Sequence, residues 1–385
     1  MRERTLVKDL AAREDGPVLL GGWVEKLRDQ KRIQFIILRD ESGDVQVTYP
    51  RPVIDEQPDE NDALAATVST LTAGSFVWVK GRLKHDERVK LGGLEVQLDE
   101  LEIVSLADPE TPIAEDTSID KRMDWRFLDL RRSEMNLVFR IQTTIEQAWR
   151  EYWTENGFVE IHSPKLMASA SESNAELFKL EYFEGHAYLA QSPQFYKQMA
   201  MMSGFGRIFE IGPVFRADPS FTSRHATEFV SVDIEVSWID SHEDIMAIQE
   251  QLMHRAISAV KEKHGEEILK HFGVDVVVPS IPFPRVALHD AIEIIKERGH
   301  VVERGGDLDP EGERQIAAWA QETHGHEFVF VTDYPATVRP FYHMRHADNP
   351  ALTNSYDLIW RGTEITTGAQ REHRLDVLIE QVKQK

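Results

Sequence analysis

From Phe229 to Trp238 the chain alternates. Val230, Val232, Ile234, Val236 and Trp238 are apolar, and Phe229, Ser231, Asp233, Glu235 and Ser237 fall between them. A period of two belongs to a β-strand with one face on a core and the other polar. The run before it, Phe215-Arg-Ala-Asp-Pro-Ser-Phe-Thr-Ser-Arg-His-Ala-Thr-Glu-Phe229, sets Arg216, Asp218, Arg224, His225 and Phe229 on two strands and the loop that joins them. Such an open hairpin face carries the groups a nucleotide needs. Arginine grips phosphate, phenylalanine stacks on a base, and a carboxylate accepts from an exocyclic amine. A solvated hairpin with ordinary surface charge is the competing reading.

A chain of 385 residues exceeds one typical core, so two domains are expected. No apolar run is long enough for a membrane span. Charges begin at Arg2 with no apolar stretch behind them, so no secretory leader is expected. The absence of cysteine excludes disulfides and thiolate metal sites. A cytoplasmic enzyme is the expected class. The net charge of −22 argues against a chain that coats nucleic acid indiscriminately. Any nucleic-acid contact must use a local positive patch, and Lys26, Arg28, Lys31, Arg32 and Arg39 form one near the N-terminus.

Val18–Val24, Ile33–Leu38, Val45–Tyr49, Phe76–Val79 and Leu94–Leu98 read as short strands between turn residues such as Glu41-Ser-Gly-Asp44 and Gly92-Gly93. Five short strands in succession predict a small closed barrel of the OB type. Residues 106–133 are charged and contain Pro109 and Pro112, which suggests a hinge. Leu137, Ile141, Ile145, Ala148 and Tyr152 then recur at helical spacing, with Asn156-Gly157 as the stop and a strand at Phe158–Ile161 before Pro164. Gln191-Ser-Pro-Gln-Phe-Tyr-Lys-Gln198 reads as a helix start that places Gln194 and Lys197 on one face. A long amphipathic helix is expected over 241–270. A mixed region follows with a charged loop at Glu303–Glu313, and a strand at Phe328–Thr332.

Asn354–His373 is the second informative segment. If Arg361-Gly362 makes a two-residue turn, Ile359 pairs with Glu364 and Asp357 with Thr366, and both carboxylates share one hairpin face. Neighbouring carboxylates repel unless a cation lies between them, and oxygen ligands suit magnesium. An ion pair between either acid and a nearby arginine is the alternative. Gly368 allows close approach of a ligand to the backbone. Lys197 and Arg371 could together hold one small carboxylate, or each could be a surface charge. In the barrel, Phe35 lies among Arg28, Lys31, Arg32 and Gln46. It either stacks a base there or belongs to the core with Ile33 and Ile37.

Together these segments resemble the aspartyl-tRNA synthetases of archaeal and eukaryotic-like type, a class II aminoacyl-tRNA synthetase family. The likeness runs over the whole chain in the family's order. The helix, strand and Pro164 resemble motif 1, which builds the dimer interface, and Phe215–Glu235 resembles motif 2. Gln191–Lys197 and Gly362–Arg371 are similar to the aspartyl-specific signatures, and Arg126-Phe-Leu-Asp-Leu-Arg131 and Arg339-Pro-Phe-Tyr342 also fit.

The resemblance implies an α+β fold: an antiparallel sheet flanked by helices, plus an N-terminal OB-fold β-barrel. It implies an anticodon-binding domain over 1–105, a hinge over 106–133 and a catalytic domain over 134–385. The implied reaction is ATP-dependent ligation of L-aspartate to tRNA(Asp), with tRNA(Asn) left open, in a homodimer that needs Mg2+ and no membrane. Arg216 would hold the ATP α-phosphate and Phe229 would stack on adenine. Asp218, Arg224 and His225 would complete the nucleotide site, with Glu364 beside it. Asp357 and Glu364 would hold magnesium. Glu172, Gln194, Asp233 and Thr367 would line the aspartate pocket, with Lys197 and Arg371 on the substrate side chain. Arg28, Phe35 and Gln46 would contact anticodon bases.

The chain departs from that pattern in places. Family members continue beyond Gln370-Arg371 into a glycine-rich motif 3 that ends in an arginine for the ATP γ-phosphate. This sequence stops at Lys385, which raises either a truncated chain or a paralogue that binds tRNA or regulates without normal catalysis. Gly305–Arg314 is read as a loop, not as that motif. Glu172-Ser-Asn174 stands where Glu-Gly-Gly is usual, Asp218 for glutamate, Thr367 for serine, and His343-Met-Arg-His346 for Thr-Met-Pro-Asp. A third reading passes the activated aspartyl group to a small amine.

Overall fold

The computed structural model describes residues 2–54, 57–58, 62–114, 116–169, 177–218, 226–302 and 306–384. They form two compact units, Met1–Asn136 and Leu137–Lys385. Glu172, Arg224 and His225 lie outside the described residues.

The first unit is built on a closed barrel of β1 (Gly16–Asp29), β2 (Ile33–Asp40), β3 (Gly43–Pro50), β4 (Phe76–His85) and β5 (Leu94–Ser105), in the order β1-β2-β3-β5-β4. Helix α1 (Ala63–Ser69) lies between β3 and β4 in the chain. Closure follows from alternation: Leu20, Val24, Ile36, Leu38, Val45, Val47, Val77, Val79 and Val96 all point inward and are buried. In β2 the buried positions are Gln34, Ile36, Leu38 and Asp40, so Phe35 belongs to the outer face with Ile33 and Ile37. The stretch read as a hinge carries two short helices, α2 (Ile119–Asp124) and α3 (Arg126–Asp129). Charge organises them. Asp129 is fully buried and takes Arg122 at 2.7 Å, Arg126 at 2.5 Å and Arg132 at 3.7 Å.

Among the described residues the second unit has two larger sheets and a small three-stranded one of Leu166–Met167, Lys179–Tyr182 and Gly185–Leu189. In the first, β6 (Val159–Glu160) pairs parallel with β7 (Arg207–Phe215), which pairs antiparallel with β8 (Glu228–Val236). The second is β9 (Arg285–Ala287), β10 (Phe328–Thr332), β11 (Ser355–Trp360) and β12 (Thr363–Ala369), in that order. Helix α4 (Ser133–Glu155) places Trp149, Tyr152 and Trp153 against β7 and β8, and Gly157 (φ +74°) stops it as expected. Helix α5 is Gln194–Met202, and the hydroxyl of Ser192 accepts from the Gln194 N–H at 3.2 Å. Helix α6 (His242–Phe272) begins with a capping box at Ser241. Helices α7 (Leu288–Glu297) and α8 (Pro310–His324) cover the second sheet, and α9 (Leu375–Lys383) follows it. The expected loop to Glu313 therefore ends earlier. Asp309 caps α8 and Pro310 fills its first turn, where a missing N–H costs nothing.

Two expectations change. The alternation in β8 is real, and Ile234 and Val236 on its apolar face pack on the core with Trp149, Tyr152 and Trp153, but the other end of that face is open. Val230 is 53% and Val232 40% exposed, whereas Glu235 is 9% exposed. The polar face is covered as well at Glu235, because cations neutralise it. In the second hairpin, Arg361 (φ +50°) and Gly362 (φ +83°) do make the two-residue turn, and Ile359 does pair with Glu364. A bulge then shifts the register, so Asp357 lies opposite Thr367 and not Thr366.

Candidate active site

The acidic face of β8 meets α5 and the end of β12. Lys197 Nζ donates to Asp233 Oδ1 at 2.7 Å and lies 3.6 Å from Glu235 Oε2. Arg371 Nε donates to Glu235 Oε1 at 3.1 Å, and its Nη2 donates to Gln194 Oε1 at 3.1 Å. The Arg371 guanidinium also lies over the Tyr342 ring at 5.3 Å. The two cations expected to share one small carboxylate therefore converge on one, and it belongs to the protein. Glu235 is the residue that sequence reasoning missed. Its parity with Asp233 was the available signal. Burial works to raise the Asp233 pKa, but the Lys197 ammonium, the Ser231 hydroxyl at 2.6 Å and Arg371 outweigh it and hold it lowered. Gln194 Nε2 is buried and has no hydrogen-bond partner among the described residues.

Phe229 shares this face, four residues before Asp233, and the Arg216 guanidinium lies over its ring at 5.5 Å. Asp218 is half-buried. Phe229, with Arg216 over it, thus lies along the same strand face as the cation cluster, while Glu364 lies on β12 in the other larger sheet.

The second hairpin brings Asp357, Glu364 and Thr367 together. The bulge lets the Thr367 hydroxyl donate to Glu364 Oε1 at 2.7 Å. Glu364 is solvent-accessible, yet protein surrounds much of it. Desolvation and the charge of Asp357 push its pKa up to about 7. Asp357 is 2% exposed, and burial raises its pKa despite the Arg339 guanidinium, whose Nη2 donates to Asp357 Oδ2 at 2.5 Å. The ion-pair alternative is thus realised at Asp357 on one oxygen, while Oδ1 stays buried without a hydrogen-bond partner of good geometry among the described residues. Asp307, just before α8, adds its negative charge to the same cluster. Gly368 allows a close approach within the protein: a Cβ there would meet the Tyr356 ring at 2.3 Å.

Among the described residues, no group of three or more His, Cys, Asp or Glu side chains is arranged to hold a metal. Asp357 and Glu364 fit a cation that takes its remaining oxygens from phosphate and water, as magnesium does. On the barrel, Arg28 lies directly opposite Phe35, and Gln46 opposite Ile37, so Arg28, Phe35 and Gln46 share the outer face.

A family model described as tRNA synthetases class II (D, K and N) matches residues 118–385. The chain belongs to this family. A second model, an OB-fold nucleic acid binding domain, matches residues 18–104. This class II synthetase is 42% identical to the aspartate–tRNA(Asp/Asn) ligase of Aeropyrum pernix, over all of this chain and 87% of that protein. It is 38% identical to the aspartate–tRNA(Asp) ligase of Pyrococcus abyssi, over 96% of this chain and 83% of that one. Among solved structures, asparaginyl-tRNA synthetase from Pyrococcus horikoshii with asparaginyl-adenylate superposes with a TM-score of 0.90 at 31% identity. It is covered over 87% of its length and all of this chain. Aspartyl-tRNA synthetase from Entamoeba histolytica gives 0.85 at 27%, over 99% of this chain and 81% of that one. Both structural pieces of the expected fold, the barrel and the class II domain, are therefore present. Among the described residues no helix is long and apolar enough to cross a membrane.

Proposed function

We propose that this chain joins L-aspartate to tRNA in an ATP-dependent reaction through an aspartyl-adenylate. Class II tRNA synthetases use ATP. The observation that carries the choice of aspartate is the convergence of Lys197 and Arg371 on Glu235, at 3.6 and 3.1 Å. The cluster is charge-balanced without substrate. Aspartate enters by exchanging partners: its side-chain carboxylate takes Lys197 and Arg371, and its ammonium takes Asp233 and Gln194. Asparagine offers no anion to the released cations, and unpaired buried charge is costly.

The α-carboxylate of aspartate attacks the ATP α-phosphorus and pyrophosphate leaves. A terminal tRNA hydroxyl then attacks the carbonyl carbon and AMP leaves. The protein positions the groups and stabilises charge developing on the phosphate, the task of Arg216. Phe229 holds the adenine by stacking, and Asp218, Arg224 and His225 complete the nucleotide site. Glu172 and Thr367 border the aspartate pocket. Asp357 and Glu364 would hold Mg2+, which neutralises phosphate charge when bound.

Residues 1–105 form the anticodon-binding domain, with Arg28, Phe35 and Gln46 on the bases, and 134–385 the catalytic domain, joined by 106–133. The active form is a homodimer through α4 and β6. Val138, Phe139 and Val159 are each close to half exposed there, which supports an apolar interface. Aspartate-dependent ATP–pyrophosphate exchange, followed by charging of tRNA(Asp) and tRNA(Asn) transcripts, tests the reading. Exchange with aspartate and none with asparagine is expected. Absence of exchange in the presence of Mg2+ would reject it.

A further inference from the structure

Arg339 lies in the connection between β10 and β11 and is 7% exposed. Two contacts fix it. Its guanidinium lies on the ring of Tyr334, itself fully buried, at 3.7 Å. Its Nη2 donates to Oδ2 of Asp357 at 2.5 Å, on the neighbouring strand. The other oxygen of that carboxylate, Oδ1, is buried and has no hydrogen-bond partner of good geometry among the described residues, although the Tyr334 hydroxyl lies close enough to the carboxylate to favour its charged form. A buried acceptor without a donor is expensive, and native structures rarely retain one without a use for it. The contact is a single charge-assisted bond from Nη2, which constrains Oδ2 in direction as well as distance and leaves Oδ1 unclaimed by the guanidinium.

We propose that Arg339 is the positioning residue of the divalent-cation site: it holds Oδ2 of Asp357 and so keeps Oδ1 as the carboxylate's available donor beside Glu364. The inference rests on the reading of Asp357 and Glu364 as cation ligands. It differs from a simple counter-ion role in the sign of its effect. A counter-ion repels an incoming cation, so its removal tightens metal binding. A positioning residue orients a ligand, so its removal weakens binding.

The test titrates Mn2+ alone into the full chain at mildly alkaline pH and follows free Mn2+ by electron paramagnetic resonance, with thermal melting in parallel. Loss of a partner that orients a metal ligand weakens binding by about tenfold or more, so Arg339→Gln is expected to raise the Mn2+ dissociation constant by about that factor. Arg339→Lys keeps the charge but loses the planar, directional donor, and is expected to fall between the parent and Arg339→Gln. Unchanged Mn2+ binding with only a lower melting temperature would make Arg339 merely structural and overturn the proposal. Tighter binding would make it a counter-ion and overturn it equally. If Arg339→Gln does not fold, Arg339→Lys decides alone by the same criteria. Asp357→Asn is the control. If it binds Mn2+ as the parent does, the cation reading fails and this inference falls with it. If it loses binding while both Arg339 variants keep theirs, only this inference fails.

Discussion

Lys197 is nearly buried and Arg371 is 22% exposed, and each is already matched by an acid on β8. Truncating one member of such a set leaves the others buried and unpaired, which costs about 3–5 kcal/mol. Arg371→Met is therefore expected to lower kcat/KM for aspartate in pyrophosphate exchange by about a hundredfold or more, with asparagine use far less affected. An equal loss with both amino acids would show that Arg371 acts on the nucleotide instead. Glu364 makes a separate prediction about pH. In the folded chain it holds its proton to about 7, against an ordinary value of 4.5. The folded state thus carries the extra proton between those values, so this residue's contribution to stability falls as pH rises through the window. Denaturant midpoints of the metal-free protein should drop between about pH 5 and pH 8 more steeply in the parent than in Glu364→Gln, and parallel profiles would contradict this. The sequence made Lys197, Arg371, Asp357 and Glu364 visible as chemistry. It hid their partners. Alternation assigned Glu235 to a face without saying that the face is covered, and Arg339 meets Asp357 only because a long connection folds back over β11.

At the scale of elements, the turn at Arg361-Gly362 shows what local sequence can specify. Two successive positive φ values are needed to match the strand twist, and glycine supplies the second without strain. Gly362 also lies against α8. A Cβ there would meet Arg314 Cγ at 3.0 Å and its Cα at 3.2 Å. Gly362→Ala should destabilise the protein by about 1–2 kcal/mol through the left-handed backbone, with the clash in addition. Chemical denaturation with unchanged spectroscopic slope measures it, and a neutral result would mean that the turn can rearrange. The bulge one step further on was not legible. Its extra residue, Ile365, resembles any strand residue, and only the pairing partner reveals the slip. Strand parity was legible and burial was not. Val230 and Val232 alternate as core residues do, yet Lys197 and Arg371 draw the acidic face of the same strand inward.

For the whole molecule, the decisive tension is between a net charge of −22 and a polyanionic partner. Long-range repulsion opposes tRNA, so attraction must come from the basic stretch of β1 and β2 and from stacking, which salt does not screen. Arg28 and Phe35 lie directly opposite each other on the barrel's outer face, and in the proposed function they divide those two tasks. Arg28→Ala removes one phosphate-seeking charge and should reduce the slope of log K against log salt by about one. Phe35→Ala removes a stacking surface. It should weaken tRNA binding by about 1–3 kcal/mol at every salt concentration and leave the slope alone. Filter binding of tRNA(Asp) across a salt series separates the two. If both variants change the slope alike, or neither changes affinity, the barrel face opposite Arg28 is not where the anticodon binds, and recognition must use another part of the chain.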